Sequence, residues 1–173
     1  MFKNIFKIFC IVVVLGIASV IYVWADGVAE KFEQNLVRNA TLKDLEGGEW
    51  NARKLGKKIG VLYFGYTFCP DVCPLHVSRN ADAVDMLDER GIQTTPVFIS
   101  VDPSRDTPEV LTEFVEMIHP RMLAYTGSEE QIRAASNAYK TYYKKQESND
   151  EYYLVDHSTI TYLVLPKFGF VEF

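Results

Sequence analysis

Hydrophobic positions divide the chain into one unbroken apolar run and a series of shorter, periodic ones. From Ile8 to Trp24 (IFCIVVVLGIASVIYVW) no side chain carries a charge. About 17–25 such residues cross a bilayer as a helix, so residues 1–25 are read as one N-terminal transmembrane helix. Tyr22 and Trp24 stand where interfacial aromatics anchor, and Lys3 and Lys7 mark the cytoplasmic end. A cleaved signal peptide competes, because Val23-Trp24-Ala25 loosely resembles a small-x-small cleavage site. Val is larger than the first of those positions prefers, and the retained anchor is favoured. Either reading exports the rest of the chain. Residues 26–39 (DGVAEKFEQNLVRN) are polar, lack a strong period and read as a tether.

Residues 40–173 alternate between strand and helix patterns. Glu46-Gly47-Gly48 predicts a hairpin turn between two short strands. Lys58–Tyr66 (KIGVLYFGY) has the length and continuous apolarity of a central strand buried on both faces. Leu75, Val77, Ala81, Val84 and Leu87 then keep helical spacing, predicting a helix over Leu75–Arg90 that stops at Gly91. Pro96–Asp102 is a second apolar strand. Thr107-Pro108-Glu109 opens a helix with a cap and a proline, running to about His119. Met122–Tyr125 predicts a third strand, Ser128–Lys144 a helix behind a capping box, and Thr159–Leu165 a last full strand. Pro166–Gly169 reads as a turn and Phe170–Phe173 as the start of a further strand. Such alternation implies an α/β mixed sheet with helices on both faces.

Charge adds one distinction. The chain is net −5, but residues 1–25 hold two lysines and no acid, leaving 16 basic and 23 acidic side chains for residues 26–173. That net −7 argues against nucleic acid and favours a cation or a basic protein partner.

Of the three cysteines, Cys10 lies inside the apolar run and behaves there as a small hydrophobe. Cys69 and Cys73 stand four apart where a buried strand gives way to a helix, with Pro70 and Pro74 stiffening the turn. On a helix that spacing puts Cβ atoms about 5–6 Å apart. The pair can therefore close a disulfide, since Cα separations of about 4.4–6.8 Å allow one. It can equally grip a soft metal ion such as Cu(I). A helix N-terminus lowers a thiol pKa, and export makes the pair a live redox couple. A purely stabilising bridge has little rationale, because so short a loop constrains the unfolded chain weakly.

Two thiolates make a poor copper site, so a third ligand is expected among His76, His119 and His157. His76 follows Cys73 by three residues and points along the next turn. His119 ends a helix, where a cation at the C-terminus is favourable. His157, in YLVDHSTITYLVL, stands at the mouth of a strand, where sites in open sheets gather. It is favoured.

In order along the chain, YFGYTFCPDVCP, SVDPSRDTPEVL, TGSEEQI and YLVDHSTITYLV resemble the motifs of the Sco/SenC family of copper proteins, over about residues 40–170. The resemblance implies a thioredoxin-like fold behind an N-terminal anchor. It implies one copper ion, Cu(I) or Cu(II), held by Cys69, Cys73 and His157. It further implies delivery of copper to the dinuclear copper centre of cytochrome c oxidase subunit II during assembly. The domain would face the periplasm from the bacterial inner membrane, a mitochondrial inner membrane being the less favoured setting. Asp102, Pro103, Arg105 and Asp106 match a family loop read here as scaffold rather than ligand. Members usually continue through a further strand and helix, so the C-terminal end at Phe173 reads as short.

Three functions compete. A metallochaperone leads. A thiol-disulfide oxidoreductase keeping the oxidase subunit's cysteines reduced comes second, although such reductases use CxxC and this chain has CxxxC. A peroxidase would need Thr three residues before its cysteine. Tyr66 is there instead, and Thr67 is one place late.

Overall fold

The computed structural model describes residues 40–147, 152–165 and 169–172. The expected anchor, with Cys10, and the tether lie outside the described residues. Among the described residues no helix is long and apolar enough to cross a membrane.

A short hairpin, β1 (Leu42–Lys43) and β2 (Glu49–Trp50), opens the domain. Its turn holds Gly47 at φ +80°, a conformation glycine adopts without steric cost. The core is a five-stranded mixed sheet in the order β5-β4-β3-β8-β9. Its strands are β3 (Ile59–Gly65), β4 (Thr94–Ser100), β5 (Leu123–Tyr125), β8 (Thr161–Leu165) and β9 (Gly169–Glu172). β3 lies at the centre, parallel to β4 and antiparallel to β8. Paired on both edges and covered on both faces, it is apolar along nearly its whole length.

Helices cover both faces of that sheet, as the alternation predicts. α1 (Val72–Asp88) buries Cys73, Val77, Ala81 and Val84 as one stripe, and α2 (Pro108–Ile118) buries Leu111, Phe114 and Val115. On that side Tyr63 meets His76 of α1, and Phe98 meets Phe114. On the opposite side Phe64 and Tyr162 pack against Tyr139 of α3 (Glu129–Tyr139). Successive residues of β3 thus serve opposite layers, as the pleat requires.

Two boundaries differ from the sequence reading in ways that shape the site. α1 starts at Val72, three residues earlier than expected, with Pro74 inside its first turn. Proline is tolerated there because the N–H it lacks has no intrahelical partner. α3 ends at Tyr139, not Lys144. Ile132, Ala135, Tyr139 and Tyr143 keep helical spacing, but Lys140 turns left-handed (φ 52°) and Thr141 N–H bonds back to the Ser136 carbonyl. The following residues form β6 (Tyr143–Lys145), antiparallel to β7 (Val155–His157). Non-local pairing overrides the local pattern there.

Candidate metal centre

The chain steps outward from β3 through β4 to β5, then returns to the other side of β3 as β8. The carboxyl end of β3 is therefore the point where the strand order reverses, the place where open sheets form their sites. The Tyr66–Asp71 loop leaves β3 there. Because β8 runs antiparallel, its amino end and the preceding β7 arrive at the same edge. That topology brings together residues far apart in sequence.

Cys69 sits in a tight turn, its N–H donating to the Tyr66 carbonyl at 3.3 Å. Cys73 occupies the first turn of α1, fully buried, whereas Cys69 is 8% exposed. His157 ends β7 and is half-buried. The Cys73 sulfur lies 3.1 Å from His157 Nε2, and the ligand-capable atoms of Cys69, Cys73 and His157 all lie within 4.8 Å of one another. Both thiols are free. His76 stacks on Tyr63 instead (ring centroids 5.8 Å). His119 is buried against Asp85 at 3.2 Å, and its Nδ1 accepts from Arg121 N–H. Neither joins the cluster.

The His157 ring is oriented for ligation. Its Nδ1 lies 3.0 Å from the Ser158 carbonyl, which can only accept. Nδ1 therefore carries the proton, and the Nε2 lone pair of the neutral ring is left facing the sulfurs. Burial holds the imidazolium below its ordinary range, against the opposing pull of the Ser158 and Phe64 carbonyls. Tyr63 and Tyr66 meet the ring edge-on, at 6.1 and 5.8 Å between centroids. The Tyr66 hydroxyl accepts from Val155 N–H, tying β7 to the cysteine loop.

The two thiols differ. Burial pushes Cys69 up, but N–H groups of Asp71, Cys73 and Val72 at the start of α1, with the Cys73 thiol, bring it below its ordinary value. Burial pushes Cys73 up to about 12, and Cys69 adds to the rise. One thiol is held below its ordinary pKa and is slightly exposed; the other is held above it and fully buried.

The scaffold expected of the Asp102–Asp106 loop is present. Asp106, 1% exposed, accepts from Thr67 Oγ1 at 2.6 Å, Thr67 N–H at 3.2 Å and Ser100 Oγ at 2.5 Å. It clamps the backbone two residues before Cys69. Arg105 pairs with Asp102 (2.5 Å), donates to the Tyr153 carbonyl (2.9 Å) and lies 3.6 Å from the Tyr153 ring centroid. Its guanidinium also covers Phe68 and Tyr66. Sequence reasoning did not single out Tyr63, Tyr66 or Tyr153 as members of the site. All three fall inside the motifs YFGYTFCPDVCP and YLVDHSTITYLV, but nothing local assigns them a part in the site. A cavity of about 620 Å³ opens beside β6 and α3 and contains none of the three candidate ligands. Ligation by three converging side chains needs no such volume.

The SCO1/SenC family model matches residues 28–173. Protein SenC of Rhodobacter capsulatus is 53% identical over 133 residues, 77% of this chain and 60% of that protein's own length. The crystal structure of Arabidopsis thaliana ScoI with copper bound superposes with a TM-score of 0.71 at 41% identity, covering 76% of this chain and 83% of that one. BsSco is described as a member of the Sco family of cytochrome c oxidase assembly proteins, with a disulfide switch. It matches with a TM-score of 0.60 at 25% identity, over 76% of this chain and 78% of that one. The mixed sheet, the order of its elements and these matches agree: this chain belongs to the SCO1/SenC family.

Proposed function

We propose that this protein is a copper metallochaperone, carrying one ion, Cu(I) or Cu(II), on Cys69, Cys73 and His157. It passes that cargo to the dinuclear copper centre of cytochrome c oxidase subunit II during assembly. One observation carries the reading: three donor atoms converge within 4.8 Å in a chain matched to a copper-bound relative. Two thiolates and an imidazole suit copper and repel hard cations such as Mg²⁺. The bare Nε2 of His157 and the low pKa of Cys69 favour loading; the slight exposure of Cys69 opens the side from which an acceptor thiolate approaches. Residues 1–25 anchor the chain in the bacterial inner membrane, residues 26–39 give it reach, and residues 40–173 work in the periplasm.

A second reading draws support from the free thiols and the disulfide switch of BsSco. As an oxidoreductase, Cys69 thiolate would attack a partner disulfide and form a mixed disulfide. Cys73 would then displace the partner's first sulfur, closing a Cys69–Cys73 bridge and releasing the partner as a dithiol.

Copper stoichiometry of the reduced full chain tests the leading reading. One ion per chain is expected, with little or none after Cys69→Ala or Cys73→Ala. Absence of copper from the unaltered chain sinks it.

A further inference from the structure

The Tyr63 hydroxyl is buried and completes no hydrogen bond. Its ring lies on the α1 face of β3, stacked on His76 and edge-on to His157. Two residues on, Gly65 explains how close the ring comes to the metal centre. A Cβ at that position would lie 3.0 Å from both Tyr63 Cε1 and Cys73 Sγ. The space left by the missing side chain is the slot that ring edge and sulfur share. From this slot the hydroxyl reaches toward Cys73.

The Cys73 sulfur now has His157 Nε2 as a neighbour at 3.1 Å. A metal ion held by both residues takes the Nε2 lone pair and ends that contact. It also leaves the sulfur as a thiolate with lone pairs to spare. The Tyr63 hydroxyl, buried and unpartnered beside the slot that its ring shares with the sulfur, is a donor available to it, and a hydrogen bond to an ionised acceptor is a strong one.

We propose that Tyr63 donates a hydrogen bond to the metal-bound Cys73 sulfur and thereby tunes the oxidation state of the carried copper. The inference rests on the copper reading above. Hydrogen bonding at a ligand sulfur withdraws charge from the copper–thiolate bond and is a recognised lever on its potential. The bond stabilises Cu(I) over Cu(II) and moves sulfur-to-Cu(II) charge transfer to higher energy. Tyr63 touches the ligand and not the ion, so its role is positioning and tuning.

The experiment compares the full chain with Tyr63→Phe and with 3-fluorotyrosine at position 63, each loaded with Cu(II). Tyr139→Phe is the control, since its buried hydroxyl likewise lacks a partner but lies on the opposite side of the sheet. Copper stoichiometry, the charge-transfer band and the midpoint potential are read for each. Tyr63→Phe is expected to keep one copper per chain, with the band at longer wavelength and the potential more negative. The fluorinated ring, a stronger donor of similar shape, moves both the other way, and Tyr139→Phe moves neither. Normal copper uptake with unshifted band and potential in both Tyr63 variants overturns the inference and leaves the copper reading standing. An unaltered chain that takes up no copper overturns both.

Discussion

The Cys73 sulfur meets His157 Nε2 at 3.1 Å across 84 residues of sequence. Each partner is held by a different device. Cys73 is buried by the first turn of α1, and His157 by the pairing of β7 with β6, in which it faces Tyr143. Ser158 N–H bonds to the Tyr142 carbonyl, and Ser158 Oγ accepts from Tyr142 N–H, so the hairpin is latched immediately beyond the histidine. The site therefore depends on a short non-local ladder as much as on the CxxxC turn.

Gly65→Ala should injure the metal centre more than the fold. The added methyl would sit 3.0 Å from Cys73 Sγ and 3.1 Å from Phe98 Cε2. Overpacking of this kind costs about 1–3 kcal/mol, and here the strain falls on the sulfur of a proposed ligand. Thermal unfolding and copper competition titrations on the same sample separate the two effects. Unchanged affinity in a destabilised variant would show that the sulfur can move away freely.

Asp106→Ala should destabilise by about 2–3 kcal/mol, because it leaves the Ser100 and Thr67 donors without their acceptor. Asp106→Asn keeps an amide oxygen and should cost less. Burial holds the Asp106 carboxyl above its ordinary pKa, against the lowering effect of Ser100 and Thr67. The folded state thus binds this proton more tightly than the unfolded chain does. The resulting stabilisation is full in acid, below the unfolded pKa, and fades as pH climbs through the raised folded value. Asn removes that pH dependence. Denaturant midpoints across the acid range check it, and identical slopes with and without the carboxyl would refute it.

What was legible in the sequence was what local pattern encodes. β3 is a continuous apolar run because both its faces and both its edges are covered. The turn at Gly47 and the caps at Thr107 and Ser128 follow from residue chemistry within four positions. What escaped was non-local. The Tyr143-Lys144 segment read as the tail of a helix because Tyr143 keeps the period of Ile132 and Tyr139. Only pairing with Val155–His157 makes it a strand. The Thr67–Asp106 clamp spans 39 residues and leaves no periodic trace. His157 stood out only through its place at a strand mouth and the family resemblance.

Apparent copper affinity should rise with pH. Cys73, pushed up to about 12, is protonated throughout the neutral range and must release its proton to bind. That alone gives about a tenfold gain per pH unit. Cys69, held low, adds a second proton only below its own depressed pKa. His157, also held low, is already neutral near pH 7 and competes only in acid. Competition against a Cu(I) chelator at several pH values measures the slope. An affinity independent of pH would mean that Cys73 does not bind as a thiolate.

His157→Ala separates carriage of copper from reduction of thiols. Copper(I) is satisfied largely by two sulfurs, whereas copper(II) depends more on nitrogen. The variant should therefore weaken copper(II) binding at least about tenfold more than copper(I) binding. The Cys69 and Cys73 sulfurs, within 4.8 Å of each other, should still form their disulfide. A chaperone fails in cells when any one of the three ligands is lost. An oxidoreductase needs only the cysteines, so cells carrying His157→Ala would still assemble the oxidase. Copper content of cytochrome c oxidase purified from such cells decides between them. A strongly reduced content supports metal transfer through all three residues. Near-normal content, with Cys69→Ala and Cys73→Ala still defective, would assign the protein to thiol reduction instead.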